Sequence, residues 1–200
     1  MSVSRSPLHS NCDHDIRFSR TRGPSAAAGM TDYMMRVARD DELDAVASLI
    51  VDAYAEYAAH MSPDAWSTFA NDIANVRGRL GDAELIVAEH HGELVGSVTM
   101  FSGWRGAREG TAGVRLLAVP PEQRGCGVGR ALMEHCVERA REVGKARLVL
   151  TTTQEMAALR ELTESMGFQR EPKLDHEPAP GVRYQGYALE LDDDDEGAAP

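Results

Sequence analysis

Several features that mark other classes of protein are missing from this chain of 200 residues. No apolar run approaches the about 18 residues that a membrane-spanning helix needs, so we expect no contact with a membrane. The N-terminus carries arginines without the apolar segment of a secretory signal. Cysteine is scarce, and Cys12, Cys126 and Cys136 have neither the spacing of a disulfide framework nor that of a CxxC metal pair. These absences favour a location in the cytoplasm.

A basic surface is also missing. The net charge is −11, and residues 31–191 hold 17 Lys plus Arg against 25 Asp plus Glu. A nucleic-acid partner is therefore not expected, because its phosphates need a basic face. Nor is a metal expected, because His90 and His91 have no third ligand at a suitable spacing.

The composition divides the chain into a central domain and two tails. Residues 1–30 are rich in Ser, Arg, His, Pro and Ala and show no periodicity. This segment is either a disordered tail or lies upstream of a later translation start, and the sequence leaves both open. Residues 192–200 begin with five acidic residues and are predicted to form a disordered, solvated tail. Residues 31–191 are the predicted domain.

Hydrophobic periodicity in the domain predicts an α/β fold with a mixed central β-sheet and flanking helices. The element order is β-α-α-β-β-β-α-β-α-β-β. Predicted strands cover residues 35–38, 84–90, 93–101, 114–119, 147–152, 168–171 and 184–191. Predicted helices begin near residues 40, 62, 127 and 156, and residues 172–183 are predicted to be a loop.

A glycine-rich loop lies between the fourth strand and the third helix. Gly125, Gly127 and Gly129 alternate with other residues after Arg124, which strips side chains from a run of backbone N–H groups. Such donors at a helix N-terminus suit a phosphate. The loop lacks the Gly-Lys-Ser/Thr of a Walker A loop and the third glycine of the GxGxxG dinucleotide fingerprint.

Two segments resemble the GCN5-related N-acetyltransferase (GNAT) superfamily. Residues 117–132 are similar to its signature strand, loop and helix, and Gly167 and Phe168 are similar to the ending of its penultimate helix. The resemblance covers residues 33–191 and implies the GNAT fold with acetyl-CoA as acyl donor. It also implies transfer of the acetyl group to a primary amine of a small molecule or peptide by direct attack. The alternative is a non-catalytic acyl-CoA-binding regulatory module of the same fold, and the sequence leaves a homodimer open.

The resemblance also implies where coenzyme A would bind. Residues 124–130 would hold its pyrophosphate, and the strand before them would pair with the pantetheine amides. The N–H of Val119 would meet the oxyanion of the tetrahedral intermediate, with Ala118 second, because the next two residues are prolines without an N–H. The residues expected to contact coenzyme A are Leu117, Ala118, Val119, Arg124, Gly125, Cys126, Gly127, Val128, Gly129 and Arg130.

The sequence departs from the family at the reacting end of the site. Thr163 stands where the family often has a tyrosine that protonates the leaving thiolate, and Met156 stands where it often has an asparagine. Val119 and Thr163 are the two residues to which the resemblance gives a catalytic role. The strand over residues 111–115 carries no acidic residue to serve as general base. The candidates for that role are Glu109, Glu84 and His60, and a chain of water molecules leading to bulk solvent is equally compatible with the sequence.

The acceptor pocket in this superfamily usually comes from the first two helices and the last hairpin. The side chains in the first of these regions that could line it are Tyr54, Tyr57, His60, Met61, Trp66 and Phe69.

Overall fold

The computed structural model describes residues 33–179 and 182–191. Both predicted tails, residues 1–30 and 192–200, lie outside these ranges. The described chain forms one mixed sheet flanked by helices, as predicted. Its helices are α1 (Leu43–Tyr54), α2 (Pro63–Ala74), α3 (Val128–Glu142) and α4 (Ala157–Ser165). Its strands are β1 (Met34–Val37), β2 (Ala83–His90), β3 (Glu93–Phe101), β4 (Thr111–Ala118), β5 (Arg147–Thr152), β6 (Gln169–Arg170), β7 (His176–Ala179) and β8 (Val182–Glu190).

The strand order in the sheet is β1-β2-β3-β4-β5-β8-β6, with β7 paired to β8. Only β4 and β5 run parallel, and their register extends from Thr111–Arg147 to Val114–Leu150. The remaining residues of β4 continue past that point without a β5 partner. Because a parallel pair needs a long crossover, α3 connects these two strands.

Helices cover both faces of the sheet. One core contains α3, through Leu132, Met133 and the fully buried Cys136, packed on Ile86 and Ala88 of β2. The other core contains α1 and α2, packed on the side chains of β2 that alternate with these two. Since successive side chains of a strand point to opposite faces, the two cores lie on opposite sides of the sheet. Gly96 of β3 brings α3 close, because a Cβ there would lie 2.8 Å from Cγ1 of Val128.

Local signals explain the helix boundaries. Ser62 accepts a hydrogen bond from the N–H of Ala65 (3.3 Å), and Pro63 occupies the first helical position of α2, as predicted. The longest helix, α3, is followed by Gly144, which has φ +69°. The N–H of Lys145 there donates to the carbonyl of Ala140 (2.9 Å). This left-handed residue ends α3, also as predicted.

The prediction of a loop over residues 172–183 was wrong in part. Pro172–Leu174 form a 3-10 turn, and His176–Ala179 form β7, which pairs only with β8. This strand was not predicted because it contains Pro178. Proline argues against a central strand, but it is tolerated in an edge strand. The start of β4 was also misplaced by three residues, because Gly113 was not recognised as a strand residue against which Trp104 packs.

Candidate functional site

The end of β4 is distorted by a bulge. Ser97 of β3 is opposite Ala118, whereas Thr99 is opposite Arg115, so three steps on β4 match two on β3. Leu116 absorbs the extra residue with φ +54°, a left-handed conformation that non-glycine residues seldom adopt. The hydroxyl of Tyr54, at the end of α1, donates to the carbonyl of Leu117 (3.3 Å). The bulge therefore turns the end of β4 at the point where it has left β5.

The glycine loop begins α3 with unpaired backbone donors. Gly125 and Gly127 have φ +79° and +88°. The first bond of the helix runs from the N–H of Ala131 to the carbonyl of Gly127 (3.0 Å). The N–H groups of Val128, Gly129 and Arg130 precede that bond and point out of the helix end. They form the kind of terminus that binds a phosphate.

The side chain of Arg124 links the loop to neighbouring segments of the protein. Its guanidinium donates to the carbonyls of Val119 (3.0 Å) and Ala53 (2.9 Å) and pairs with Glu56 (2.8 Å). The side chain therefore joins the end of α1 to the segment between β4 and the loop. Two further contacts fix the loop, from the Tyr33 hydroxyl to the carbonyl of Cys126 (2.8 Å) and from Arg130 to Ser165 of α4 (2.7 Å).

Two adjoining cavities, of about 640 and 1000 Å³, lie on the α1–α2 side of β4. Phe69, Met156, Asp175, His176 and Tyr184 line both. Residues 124–130 line neither, so the loop amides and the cavities are separate parts of the site. The bulged end of β4 lies between them, because it runs into the loop and its residues Arg115 and Leu116 line the larger cavity.

The bulged strand, the bare helix N-terminus and the cleft together make up the candidate site. Residues 43–168 match the model of the acetyltransferase (GNAT) family. The chain belongs to that family. It is therefore an acyltransferase, and the glycine loop is the segment on which the resemblance was based.

Individual relatives agree with this assignment. An uncharacterised N-acetyltransferase of Schizosaccharomyces pombe is 28% identical over 125 residues, which are 58% of this chain and 74% of that protein. The structure of yncA from Salmonella typhimurium with acetyl-CoA has a TM-score of 0.58 and 24% identity, covering 84% of this chain and 98% of that one. Paia N-acetyltransferase of Thermoplasma acidophilum, in complex with coenzyme A, has a TM-score of 0.64 and 14% identity, covering 80% and 99%. At these identities the solved structures show the fold.

Most of the side chains predicted to line the acceptor pocket line one of these two cavities. The larger cavity contacts Tyr54 and Phe69, and the smaller one contacts Tyr57, His60 and Met61. Trp66 instead packs against the α1–α2 core. Burial raises the pKa of Tyr54 and of Tyr184, so both phenols stay protonated.

Thr163 is fully buried in α4. Its hydroxyl donates to the carbonyl of Leu159, four residues earlier in the same helix, at 2.6 Å. Delivery of its proton to a thiolate would require this bond to break. Met156 lies just before α4 and lines both cavities.

The three candidate bases are far apart. Glu84 pairs with Arg139 (2.7 Å), and this hydrogen bond holds the pKa of its carboxyl below the ordinary value. Neither Glu84 nor Glu109 lines either cavity, whereas His60 lines the smaller one. Among the candidates, only His60 is in a position to meet an acceptor.

Sequence reasoning missed His176. Its Nδ1 lies 3.2 Å from the carbonyl of Leu174, and its ring stacks on Tyr184 with centroids 5.0 Å apart and planes inclined by 7°. A carbonyl can only accept, so Nδ1 carries the hydrogen and Nε2 of the neutral ring is the acceptor. The residue was missed because β7 was predicted to be a loop, and only the pairing of β7 with β8 brings it to the cleft.

Within the described part of the chain, no cluster of three or more His, Cys, Asp or Glu residues could hold a metal ion. Over the same residues, no helix has the length and apolar character to cross a membrane.

Proposed function

We propose that the protein transfers the acetyl group of acetyl-CoA to a primary amine by direct attack, with no covalent enzyme intermediate. The observation that carries the proposal is the free end of β4. It leaves β5 after Val114, and its last residues run from the acceptor cleft to the glycine loop. Acetyl-CoA lying along this strand would have its pyrophosphate at the glycine loop and its thioester carbonyl at the cleft.

Each part of the donor then has a partner of suitable chemistry. The pyrophosphate would lie against the N–H groups of Val128, Gly129 and Arg130, at the positive end of the α3 dipole. The pantetheine amides would pair with Leu117, Ala118 and Val119 as an added strand does. The relatives solved with acetyl-CoA and with coenzyme A support this choice of donor. Cytoplasmic location and independence of metal stay predictions from the sequence.

Catalysis in this proposal consists mainly of positioning and charge stabilisation. The amine attacks the thioester carbon, and the carbonyl oxygen becomes an oxyanion that accepts a hydrogen bond from the N–H of Val119. Collapse of the intermediate re-forms the carbonyl and breaks the C–S bond. A thiol of pKa about 8.5 leaves without an obligatory acid, so the engagement of Thr163 with its own helix is compatible with turnover.

In this proposal His176 takes a proton from the acceptor's ammonium group, and the free amine so formed attacks the thioester. Its Nε2 is the free acceptor of an oriented ring, and the ring lines both cavities. Imidazole is the commonest general base in enzymes. His60 provides the matched comparison, since it also lines the cleft but has no stacking partner among the rings of the described residues.

The test is an acceptor screen that follows release of free coenzyme A thiol from acetyl-CoA. We expect turnover with at least one primary amine, and initial-velocity plots that intersect as they do for a ternary complex. Parallel plots would indicate an acyl-enzyme and would overturn direct attack. Tight binding of acetyl-CoA without thiol release from any amine would leave only the non-catalytic module.

A second arm of the experiment addresses the base. We expect His176→Gln to lower kcat/KM with the productive amine. His60→Gln should keep the wild-type value. If the two variants behave in the opposite way, the proton belongs to His60.

A further inference from the structure

Arg115 is an arginine without a partner in the lining of the larger cavity. It lies on β4 directly before the bulge, is exposed, and lines the larger cavity. Its guanidinium has neither a hydrogen bond nor an ion pair in the described structure. Among the described arginines, only Arg105 and Arg141 share this property, and Arg105 lines the same cavity. Two of the three guanidinium groups that have no partner therefore line the same cavity.

The charges around this cavity leave an excess of cations. Lys173 lines it as well, and its ammonium forms no ion pair. Of the three carboxylates in the lining, Asp175 is already occupied, because it pairs with Arg170 (2.9 Å) and accepts from the N–H of Gly186 (2.8 Å). Asp72 and Asp82 remain against three cations. In a chain of net charge −11, this is a locally positive pocket.

Arg115 shares the lining of the larger cavity with two tyrosines, Tyr54 and Tyr184. Burial raises the pKa of Tyr54 and of Tyr184, and the positive charge of Arg115 acts against that rise at both phenols. Tyr54 is the residue whose hydroxyl contacts the carbonyl of Leu117. Arg115 therefore lies near both phenols, and the hydroxyl of Tyr184, which has no acceptor among the described residues, could donate to the same ligand oxygen as Arg115.

We propose that the acceptor carries a carboxylate as well as its amine, and that Arg115 binds this carboxylate. The inference rests on the proposed function and narrows its substrate class to amino acids and close analogues. A guanidinium and a carboxylate match in a two-point hydrogen-bonded geometry that an ammonium cannot reproduce.

The decisive experiment compares amines that differ only in the carboxylate. Each amino acid in the thiol-release assay is paired with its decarboxylated amine and its carboxamide. We expect the wild-type protein to have a higher kcat/KM for the amino acid of at least one set. Arg115→Gln should lower that value by about ten- to a hundredfold, the usual effect of losing a charged hydrogen bond, and leave KM for acetyl-CoA unchanged. Arg115→Lys should restore only part of the loss.

Arg141→Gln is the control, because Arg141 is equally unpaired but belongs to α3 and lines neither cavity. It should behave as wild type with every acceptor. Equal activity of wild type and Arg115→Gln on amino acids, or a preference of the wild type for decarboxylated amines, would overturn the proposal.

A binding measurement separates this inference from the reaction itself. Calorimetry with N-acetylated amino acids on the protein saturated with coenzyme A reports the carboxylate subsite without turnover. Binding that disappears in Arg115→Gln supports the subsite even if no amine in the screen is acetylated, in which case only the proposed reaction fails. Absence of binding in wild type, with no amino acid turned over, overturns the subsite.

Discussion

Gly127 adopts φ +88° at the N-terminus of α3, and a Cβ there would meet no atom within 4 Å. A side chain at this position would therefore fit sterically, but it would strain the backbone and project beside the bare amides. The strain alone costs about 1–2 kcal/mol. Gly127 thus links a conformational requirement of the loop to its capacity for anions.

We predict that Gly127→Glu abolishes coenzyme A binding, since its carboxylate would compete for the donors and repel the pyrophosphate. Gly127→Ala should keep binding but weaken it. Isothermal calorimetry measures both. The matched control is Gly92→Glu in the β2–β3 hairpin, where φ is +85° and the space is equally open. It should lose similar stability and keep full affinity. Unchanged affinity in Gly127→Glu would remove the pyrophosphate from this loop.

The residue scale also shows what a sequence can and cannot indicate. The glycines of the loop indicate a phosphate-binding turn from the sequence alone, because a left-handed backbone without side chains needs glycine. The resemblance to the family rests in part on the same residues. Arg124 was expected to contact the cofactor, yet its side chain is occupied by two carbonyls and Glu56 from distant segments. Only the tertiary structure could reveal those partners.

At the scale of elements, α4 is informative because its buried side carries a polar residue. Thr163 is 0% exposed and bonds to Leu159 of its own helix. Valine has nearly the same shape and lacks the hydroxyl, whereas tyrosine is far larger. The two substitutions therefore separate a chemical role of Thr163 from a packing role.

We predict that Thr163→Val keeps kcat within about twofold and changes stability by less than about 1.5 kcal/mol, the usual worth of a hydrogen bond. Thr163→Tyr should destabilise the fold by about 1–3 kcal/mol, because the added ring overpacks a closed site. Denaturant unfolding and thiol-release kinetics measure these effects. A large loss of kcat in a stably folded Thr163→Val would mean that the hydroxyl takes part in the chemistry.

Elements were predictable in proportion to how local their signals are. The start of α2 and the end of α3 depend on caps within a few residues, and both were predicted correctly. The separation of β4 from β5 depends on the bulge at Leu116, and β7 depends on pairing with β8. No short-range pattern specifies either, so the cleft and His176 could not be located from the sequence.

At the scale of the whole molecule, arginine–carboxylate pairs join distant parts of an acidic chain. Hydrogen bonds to arginine lower the pKa of four carboxylates, namely Glu42, Glu84, Glu171 and Asp175. A carboxylate with a lowered folded-state pKa stabilises the fold at pH values above its unfolded pKa of about 4. That stabilisation disappears as the pH falls through the folded-state value.

Glu42 is the least exposed of these groups, with 10% of its side chain accessible. It pairs with Arg36 of β1 (3.0 Å) and with Arg39 (2.8 Å), and Arg36 in turn pairs with Glu89 of β2. The cluster therefore joins the start of α1 to the edge of the sheet. Its loss would loosen an edge strand and a helix together.

We predict a Tm that is nearly constant from about pH 7 to pH 5 and falls steeply below about pH 4, where the paired carboxylates take up protons. Glu42→Gln should lower Tm at pH 7 and make the acid fall shallower, because one proton-linked group is gone. Asp44→Asn is the control, since Asp44 is 92% exposed and its pair with Arg77 contributes little. Thermal unfolding between pH 3 and pH 8 measures all three proteins. If Glu42→Gln matches wild type in both Tm and acid slope, the cluster does not stabilise the fold.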